Sequence, residues 1–443
     1  MELNQRLRSL DILRGLTIAG MIIVNDPGSW AYVFPPLRHA DWHGITPTDF
    51  VFPFFLFIVG VSIVFAYTKR LHSHKDHGPH IRKIFIRFAM IFGMGLYLAI
   101  GTKVYGFKIL HVIVGILILL GFSDLQDHKV NTLRKAMTAG GAAIGILILL
   151  FSLPDFDPTN LRIPGVLQRI ALVFMACALL FLKTNWRQQI WIGAILVVGY
   201  WLMMVLIPVP IDEVVAGALS SGEVMGGGGM LKVEGLKALS DQYIAANLEP
   251  GVNLQAWVDR HFIPGRIYEN TWDPEGLLST LPSIGTGICG MMAGHILLGR
   301  GKKVEKANRL FVMGFCFLLI GSVWDWFFPF NKNLWSSSFV MYTAGLSTLT
   351  LAALYWLVDV KEKAQNNPLF VMGQVFGANA ITAYVLHSLF ARIYGPVRGG
   401  FMDGLMEMGV MPELASLLFA CSYTLFIYGI VWLMYRAKIF LKW

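Results

Sequence analysis

The chain has 443 residues, of which 56% are hydrophobic and 14% charged, and its mean hydropathy is +0.60; a soluble domain is roughly 45–50% apolar and about 25% charged. This composition excludes an ordinary soluble enzyme, a disordered chain, collagen and a disulfide scaffold. The 36 Lys+Arg against 27 Asp+Glu give a net charge of +9, but the basic residues fall in loops rather than on one face. They therefore bear on membrane orientation and not on nucleic acid.

Twelve apolar runs approach the roughly 20 residues that span a bilayer. They cover about 10–27, 50–67, 83–102, 107–122, 135–153, 164–182, 188–207, 277–298, 307–328, 338–358, 371–393 and 413–435. The fourth is short, so eleven is an alternative count. The reading is an all-α polytopic helical bundle in which residues 1–443 form a single transmembrane domain. Basic residues precede the first run as in a signal peptide, yet Asp11 and Arg14 interrupt it and no A-x-A site follows, so it is expected to be an uncleaved first span.

With the N-terminus in the cytoplasm, twenty-two lysines and arginines fall on the side shared by both termini. The opposite short loops carry only Arg38, Lys103, Lys108, Arg162, Lys332 and Arg398, and the 208–276 segment adds four more. The positive-inside rule then places both termini in the cytoplasm of a multi-pass inner-membrane protein. The 208–276 segment is the one sizeable extracytoplasmic loop; its GEVMGGGGM run lacks a phosphate-binding GxxxxGK[ST] pattern and reads as a mobile cover. Cys177, Cys289, Cys316 and Cys421 lie in apolar runs without a CxxC and read as buried thiols. HSHKDHGPH at 72–80 reads as a solvated basic loop. No metal is expected.

Ionisable residues inside spans cost several kcal/mol, about 2.5–3.5 on insertion scales, so each is a candidate for function. Several converge on one membrane face. The first span ends in Asn25 and Asp26, and the loop after it holds Arg38, His39, Asp41, Trp42 and His43 before Asp49 opens the second span. RIPGVLQR brings Arg162, Gln168 and Arg169; WDPEG brings Asp273 and Glu275; NKNLW brings Asn333; and His387 lies past the middle of the eleventh run. Plainer readings exist for most. Asp11 and Arg14 pair at i,i+3 on one helix face, Asp273 and Glu275 cap the eighth span, His387, His111 and His295 are packing histidines, and Asn333 and Asn379 join helices. Arg169 wants an anion or several carbonyls. His39 stands out, because it shares a short loop with acids and aromatics and an imidazole ordinarily titrates near neutrality.

RLRSLDILRGLTIAGMIIVN, LRHADWHGITPTDFVFPFFLFIVGVSI, RIPGVLQRIAL, WDPEGLLSTLPSI, NKNLWSSSF and GANAITAYVLH, taken in this order, resemble the heparan-alpha-glucosaminide N-acetyltransferase family of transmembrane acyltransferases. The resemblance extends over essentially the whole chain and suggests a compact bacterial member without the extramembrane N-terminal domain of the animal lysosomal enzymes. It implies transfer of an acetyl group from cytoplasmic acetyl-CoA to the amine of glucosamine or a glucosamine-terminated saccharide across the membrane, and a homodimer. The family's active-site histidine lies in a KHASWNGL motif, which here reads Arg38-His39-Ala40-Asp41-Trp42-His43-Gly44-Ile45, with Asp41 for serine and His43 for asparagine. Its functionally important asparagine falls on Asn25.

The parts suit that chemistry. His39 is the expected base for the acceptor ammonium, Asn25 the donor to the tetrahedral oxyanion with Arg169 a second, and Asp49 or Asp41 the residue that orients the imidazole. Asp41, Trp42, Asp273, Glu275, Asn333 and His387 are expected around the acceptor. Arg14, Arg82 and Lys83 at the cytoplasmic boundary, with Gln168 and Arg169 deeper, are expected on the acetyl-CoA side. Direct attack and an acetyl-histidine intermediate both fit, with direct transfer preferred. The rivals are an amino-sugar permease, which would place its site at midplane in discontinuous helices, and an O-acyltransferase of an envelope polysaccharide.

Overall fold

The computed structural model describes residues 7–73, 78–100, 108–126, 132–151, 161–362 and 367–441. Each of the twelve expected segments is helical: α1 (Arg8–Asn25), α2 (Val51–Ser73), α3 (Gly78–Ile100), α4 (Lys108–Gln126), α5 (Thr132–Phe151), α6 (Val166–Lys183) and α7 (Trp186–Leu206) in the first half. After two short helices, α8 (Glu213–Ser221) and α9 (Leu254–Phe262), come α10 (Thr280–Leu298), α11 (Lys303–Trp324), α12 (Ser337–Leu354), α13 (Pro368–Ala378), α14 (Ala380–Phe390), α15 (Gly395–Glu407) and α16 (Pro412–Arg436). Among the described residues, eight helices are long and apolar enough to cross a membrane, namely α2, α3, α6, α7, α10, α11, α12 and α16. The α13–α14 pair makes nine if counted as one span. α1 carries Arg8, Asp11 and Arg14, and α4 and α5 are shorter apolar helices.

Three expectations need correction. The eleventh run is two helices bent by 85° at Asn379, because Asn379 leaves helical geometry (φ −129°, ψ 44°) and its side chain bonds outside the helix, to Ile439 O (2.9 Å) and Leu441 N (3.0 Å). The tenth closes in a π-helical turn, Tyr355–Val360. The 208–276 segment is folded rather than a loose cover, and the fold is therefore mainly helical rather than all-α. Here β1 (Val209–Pro210) pairs antiparallel with β4 (Tyr243–Ile244), and β2 (Glu223–Gly226) with β3 (Gly229–Lys232). The glycine run makes the tight turn of that second hairpin, with Gly229 at φ 131°, a conformation glycine adopts without a Cβ penalty. Val209, Val215, Val224 and Ile244 then bury against Tyr200 of α7 and Phe328. Of the histidine-rich stretch, residues 74–77 lie outside the described residues, as do Lys103 and Lys363.

In lipid, apolar burial between helices gives little drive, so close backbone approach and dispersion decide which helices meet. α2 packs on α10 and α1 on α13 through glycines. A Cβ on Gly290 would fall inside the carbonyl of Phe57, and one on Gly377 inside the carbonyl of Asp11. Gly290→Val is therefore expected to destabilise the bundle by about 1–3 kcal/mol as an overpacked, unyielding contact, lowering the thermal midpoint in detergent. Gly199→Ala, which opens onto no atom within 4 Å, is the control and should leave that midpoint unchanged. Equal midpoints for the two variants would refute this packing.

Candidate active site

The end of α1, the starts of α2, α6, α10 and α12, and the 208–276 segment share one end of the bundle. There the chain from Asn25 to Asp49 folds back as two 3-10 turns, Pro35–Leu37 and Pro47–Phe50. Proline at the first position and a Thr46–Asp49 capping box set the second turn, satisfying amides that would otherwise be orphaned. The result locks Asp49. Its Oδ2 accepts from Thr46 N (3.0 Å), Thr46 Oγ1 (3.0 Å) and Ala40 N (3.2 Å), while Oδ1 lies 2.6 Å from His39 Nδ1. A carboxylate on Nδ1 favours the proton there and leaves the ring's lone pair on Nε2. Asp49 is only 1% exposed, whereas the His39 side chain is 38% exposed, so a fixed acid orients an accessible imidazole.

His39 lines a cavity of about 70 Å³ with Asn25, Glu275, Lys332 and Tyr384. A larger cavity of about 300 Å³, with Arg14, Ser62, Tyr67, Arg87 and Asn379 in its wall, reaches toward the opposite end of the bundle. The two share Phe55, Ile170 and Tyr384. A third, of about 340 Å³, contains Arg162, Gln168, Arg266 and Tyr268 and also meets Tyr384. The charged His39 pocket and the deeper chamber thus face each other across one tyrosine and two apolar side chains.

Behind the pocket, Arg162 donates from Nε and Nη2 to Asp273 (2.8 and 2.7 Å) and from Nη2 to Glu275, with its guanidinium over the Tyr268 ring. Burial alone would lower the pKa of Arg162, but the two carboxylates outweigh it and raise it above its ordinary value. Asp273 has no exposed surface and also accepts from the amides of Tyr268 and Glu275. It is held inside this ion network, ahead of α10, which begins at Thr280, rather than at that helix's cap. Glu275 keeps a face on the His39 pocket. Beneath them, Asp259 accepts from the amides of Asp273 and Leu277, and burial raises its carboxyl to about 7.

The other expected residues are dispersed. Arg169 is fully buried, stacked on Trp335 and bonded through Nη2 to Gly276 O and Ser279 Oγ, joining α6 to the start of α10 rather than lining any of these cavities. Gln168 fills the space between Gly95 and Gly165 at the third cavity. Arg14 pairs with Asp11 (3.1 Å) and donates to Ser62 Oγ (2.7 Å) while lining the deep chamber. Arg82 and Lys83 are exposed on α3 and line none of the three. Trp42 donates to Leu248 O (2.9 Å) and packs edge-on to Trp272, fastening the 208–276 segment down. Asp41 is exposed, and the carbonyl of Asn333 accepts from Gln255. His387 is buried and paired with Asp26 at 2.8 Å, and it does not line the His39 pocket. Its ring lies edge-on to Tyr384.

Three residues of the site escaped sequence reasoning. Lys332 stood in the NKNLW motif, where it counted only as a loop charge. Arg87 lies one turn further along α3 than Lys83, about 6 Å deeper along the helix axis, where the chamber opens beside it. Tyr384 stood in the GANAITAYVLH motif without a chemical role, since one tyrosine in an apolar run is unremarkable until helices converge on it.

Residues 6–169 match the family model described as heparan-alpha-glucosaminide N-acetyltransferase, catalytic. Over 450 residues the chain is 28% identical to human heparan-alpha-glucosaminide N-acetyltransferase, covering 99% of this chain and 60% of the human protein. The mouse protein of the same name is 26% identical over 399 residues, covering 88% of this chain and 54% of its own length. The chain thus spans little more than half the length of these relatives. The matched region contains Asn25 and His39, which line the pocket, together with Asp49 and Arg162 beside it, and the chain is similar to the heparan-alpha-glucosaminide N-acetyltransferases.

Proposed function

We propose that the chain is a transmembrane N-acetyltransferase that carries the acetyl group of cytoplasmic acetyl-CoA to the amine of glucosamine or a terminal glucosaminide on the far side of an inner membrane. It would use twelve spans with both termini in the cytoplasm. The observation that carries this reading is the His39–Asp49 pair at the head of two cavities that meet at Tyr384. A phosphate-bearing head with a long thin arm suits a chamber with Arg14 and Arg87 in an otherwise mostly apolar wall, because guanidinium groups recognise phosphate and apolar walls take the arm. The acceptor amine would then meet Nε2 of His39 opposite the thioester.

A carrier has one observation of its own, the helix broken at Asn379. That break is filled by the carbonyl of Ile439 and the amide of Leu441 from this chain's C-terminal segment, which leaves Asn379 engaged rather than offered to a solute. The deciding experiment is thiol release from acetyl-CoA by detergent-purified protein with glucosamine, with a hydroxyl-only sugar, and with neither. Glucosamine-dependent release with N-acetylglucosamine formed is the expected result. Release with the hydroxyl sugar alone would favour O-acylation, and saturable sugar uptake without thiol release would replace the enzyme by a carrier.

A further inference from the structure

Lys332 belongs to no role assigned so far, yet its Nζ lies 3.1 Å from each ring nitrogen of His39. Its distance to Asp49 Oδ1 is 3.9 Å, and Asp49 already has four closer contacts from Ala40, Thr46 and His39. The ammonium also acts on the Asp49 carboxylate, which it helps to keep ionised, but its nearest side-chain contacts are the two imidazole nitrogens. The lysine's backbone is held from both sides. Asn331 N donates to Ser336 Oγ (3.0 Å) and Asn331 Oδ1 accepts from Leu334 N (2.8 Å). Trp335 sits at φ 52° with its buried indole donating to Thr286 Oγ1 (3.1 Å). A non-glycine residue at positive φ persists only where its surroundings over-determine it, at a cost of about 1–3 kcal/mol. A rigid, strained turn thus delivers one ammonium into the His39 pocket, whose wall also holds Asn25 and Glu275. Burial lowers the pKa of Lys332, against the opposing pull of Asp49 and Glu275, and a desolvated ammonium is a stronger donor.

We propose that Lys332 is a catalytic residue of the acetyl transfer: its ammonium meets the oxyanion that forms when the acceptor amine adds to the thioester carbonyl beside His39. The proposal rests on the acetyltransferase reading. An amine arriving at Nε2 takes the place of Nζ on the imidazole and leaves the ammonium for the thioester oxygen. The N–C bond forms, the carbonyl π pair moves to that oxygen against Lys332, and the amine's proton passes to His39 Nε2. On collapse the C–S bond breaks, the sulfur leaves with the electron pair, and His39 returns the proton to it. The products are the N-acetyl amine and the free thiol of CoA, and Lys332 keeps its proton throughout. The same cation repels a protonated acceptor, so the pocket favours the neutral, nucleophilic amine.

The test compares wild type, His39→Ala, Lys332→Met, Lys332→Arg and Lys332→Ala, following N-acetylglucosamine formation together with acetyl-CoA binding and helical circular dichroism. Loss of one oriented oxyanion donor lowers kcat by about 10²–10³, so Lys332→Met should lose that much, with both KM values within about threefold of wild type. Lys332→Arg should retain more kcat than Lys332→Met, and added ethylammonium should restore part of the activity of Lys332→Ala. Lys332→Met with kcat near wild type, a loss confined to KM, or folded variants with neither an arginine advantage nor amine rescue would overturn the proposal while leaving the acetyltransferase intact. A wild-type protein that forms no N-acetylglucosamine would remove the underlying function and this role with it.

Discussion

His39→Ala is expected to lower kcat/KM for acetyl transfer by about 10²–10⁴, the usual contribution of a positioned general base, while acetyl-CoA binding persists. Asp49→Asn should come close to the same loss although it changes no volume. Three donors, Ala40 N, Thr46 N and Thr46 Oγ1, converge on the Oδ2 position, so an asparagine there must place its amide oxygen on them. Its NH₂ group then faces His39 Nδ1, where the carboxylate Oδ1 now lies at 2.6 Å. That amide donates to Nδ1, pushes the imidazole proton onto Nε2, and removes the lone pair that takes the acceptor's proton; holding the wrong tautomer costs about 10⁴ in kcat in a serine-protease triad of the same logic. Single-turnover formation of N-acetylglucosamine, with acetyl-CoA affinity measured separately, checks both. Asp49→Asn at wild-type rate would show that the pair is structural.

Arg162→Met should be the most destabilising single change at this end of the bundle. It leaves Asp273, with no exposed surface, and the largely buried Glu275 without their cation, and breaking a buried pair from one side costs about 3–5 kcal/mol. The thermal midpoint in detergent is expected to fall sharply, and adding Asp273→Asn in the same chain should recover part of the loss, since the stranded charge is the source of the penalty. Activity should fall as well, because Glu275 lines the His39 pocket and its position depends on Arg162. A midpoint within about half a degree of wild type, worth about 0.5 kcal/mol in a chain of 443 residues, would mean that the two carboxylates are hydrated and the network is ornamental.

The apolar runs of the sequence coincide with helices because a chain in hydrocarbon must satisfy its amides within each segment, and run length is visible without any tertiary knowledge. His39, Asp49 and Asn25 were legible because they lie within one stretch of 25 residues between two apolar runs, where polar side chains have a cost. The NKNLW turn was legible as a motif but not as chemistry, since Lys332 and His39 are 293 positions apart and only the packing of α12 beside α2 brings them together. Arg162, Asp273 and Glu275 each read as an independent boundary charge; the structure joins them in one ion network, which takes Asp273 out of the solvent that the sequence granted it. His387 was drawn toward the pocket by position along its run, but rotation of α14 turns its ring toward Asp26. The 208–276 segment shows the same division: its glycines announced a turn, whereas the buried cluster beneath it depends on Tyr200 and Phe328 from elsewhere in the chain. Local polarity and run length are properties of the chain and were determined by the sequence alone. Which polar groups meet, and which of them neutralise one another before any substrate arrives, is set by helix rotation and crossing, and those were decided only when backbone contacts such as that of Gly290 with Phe57 closed.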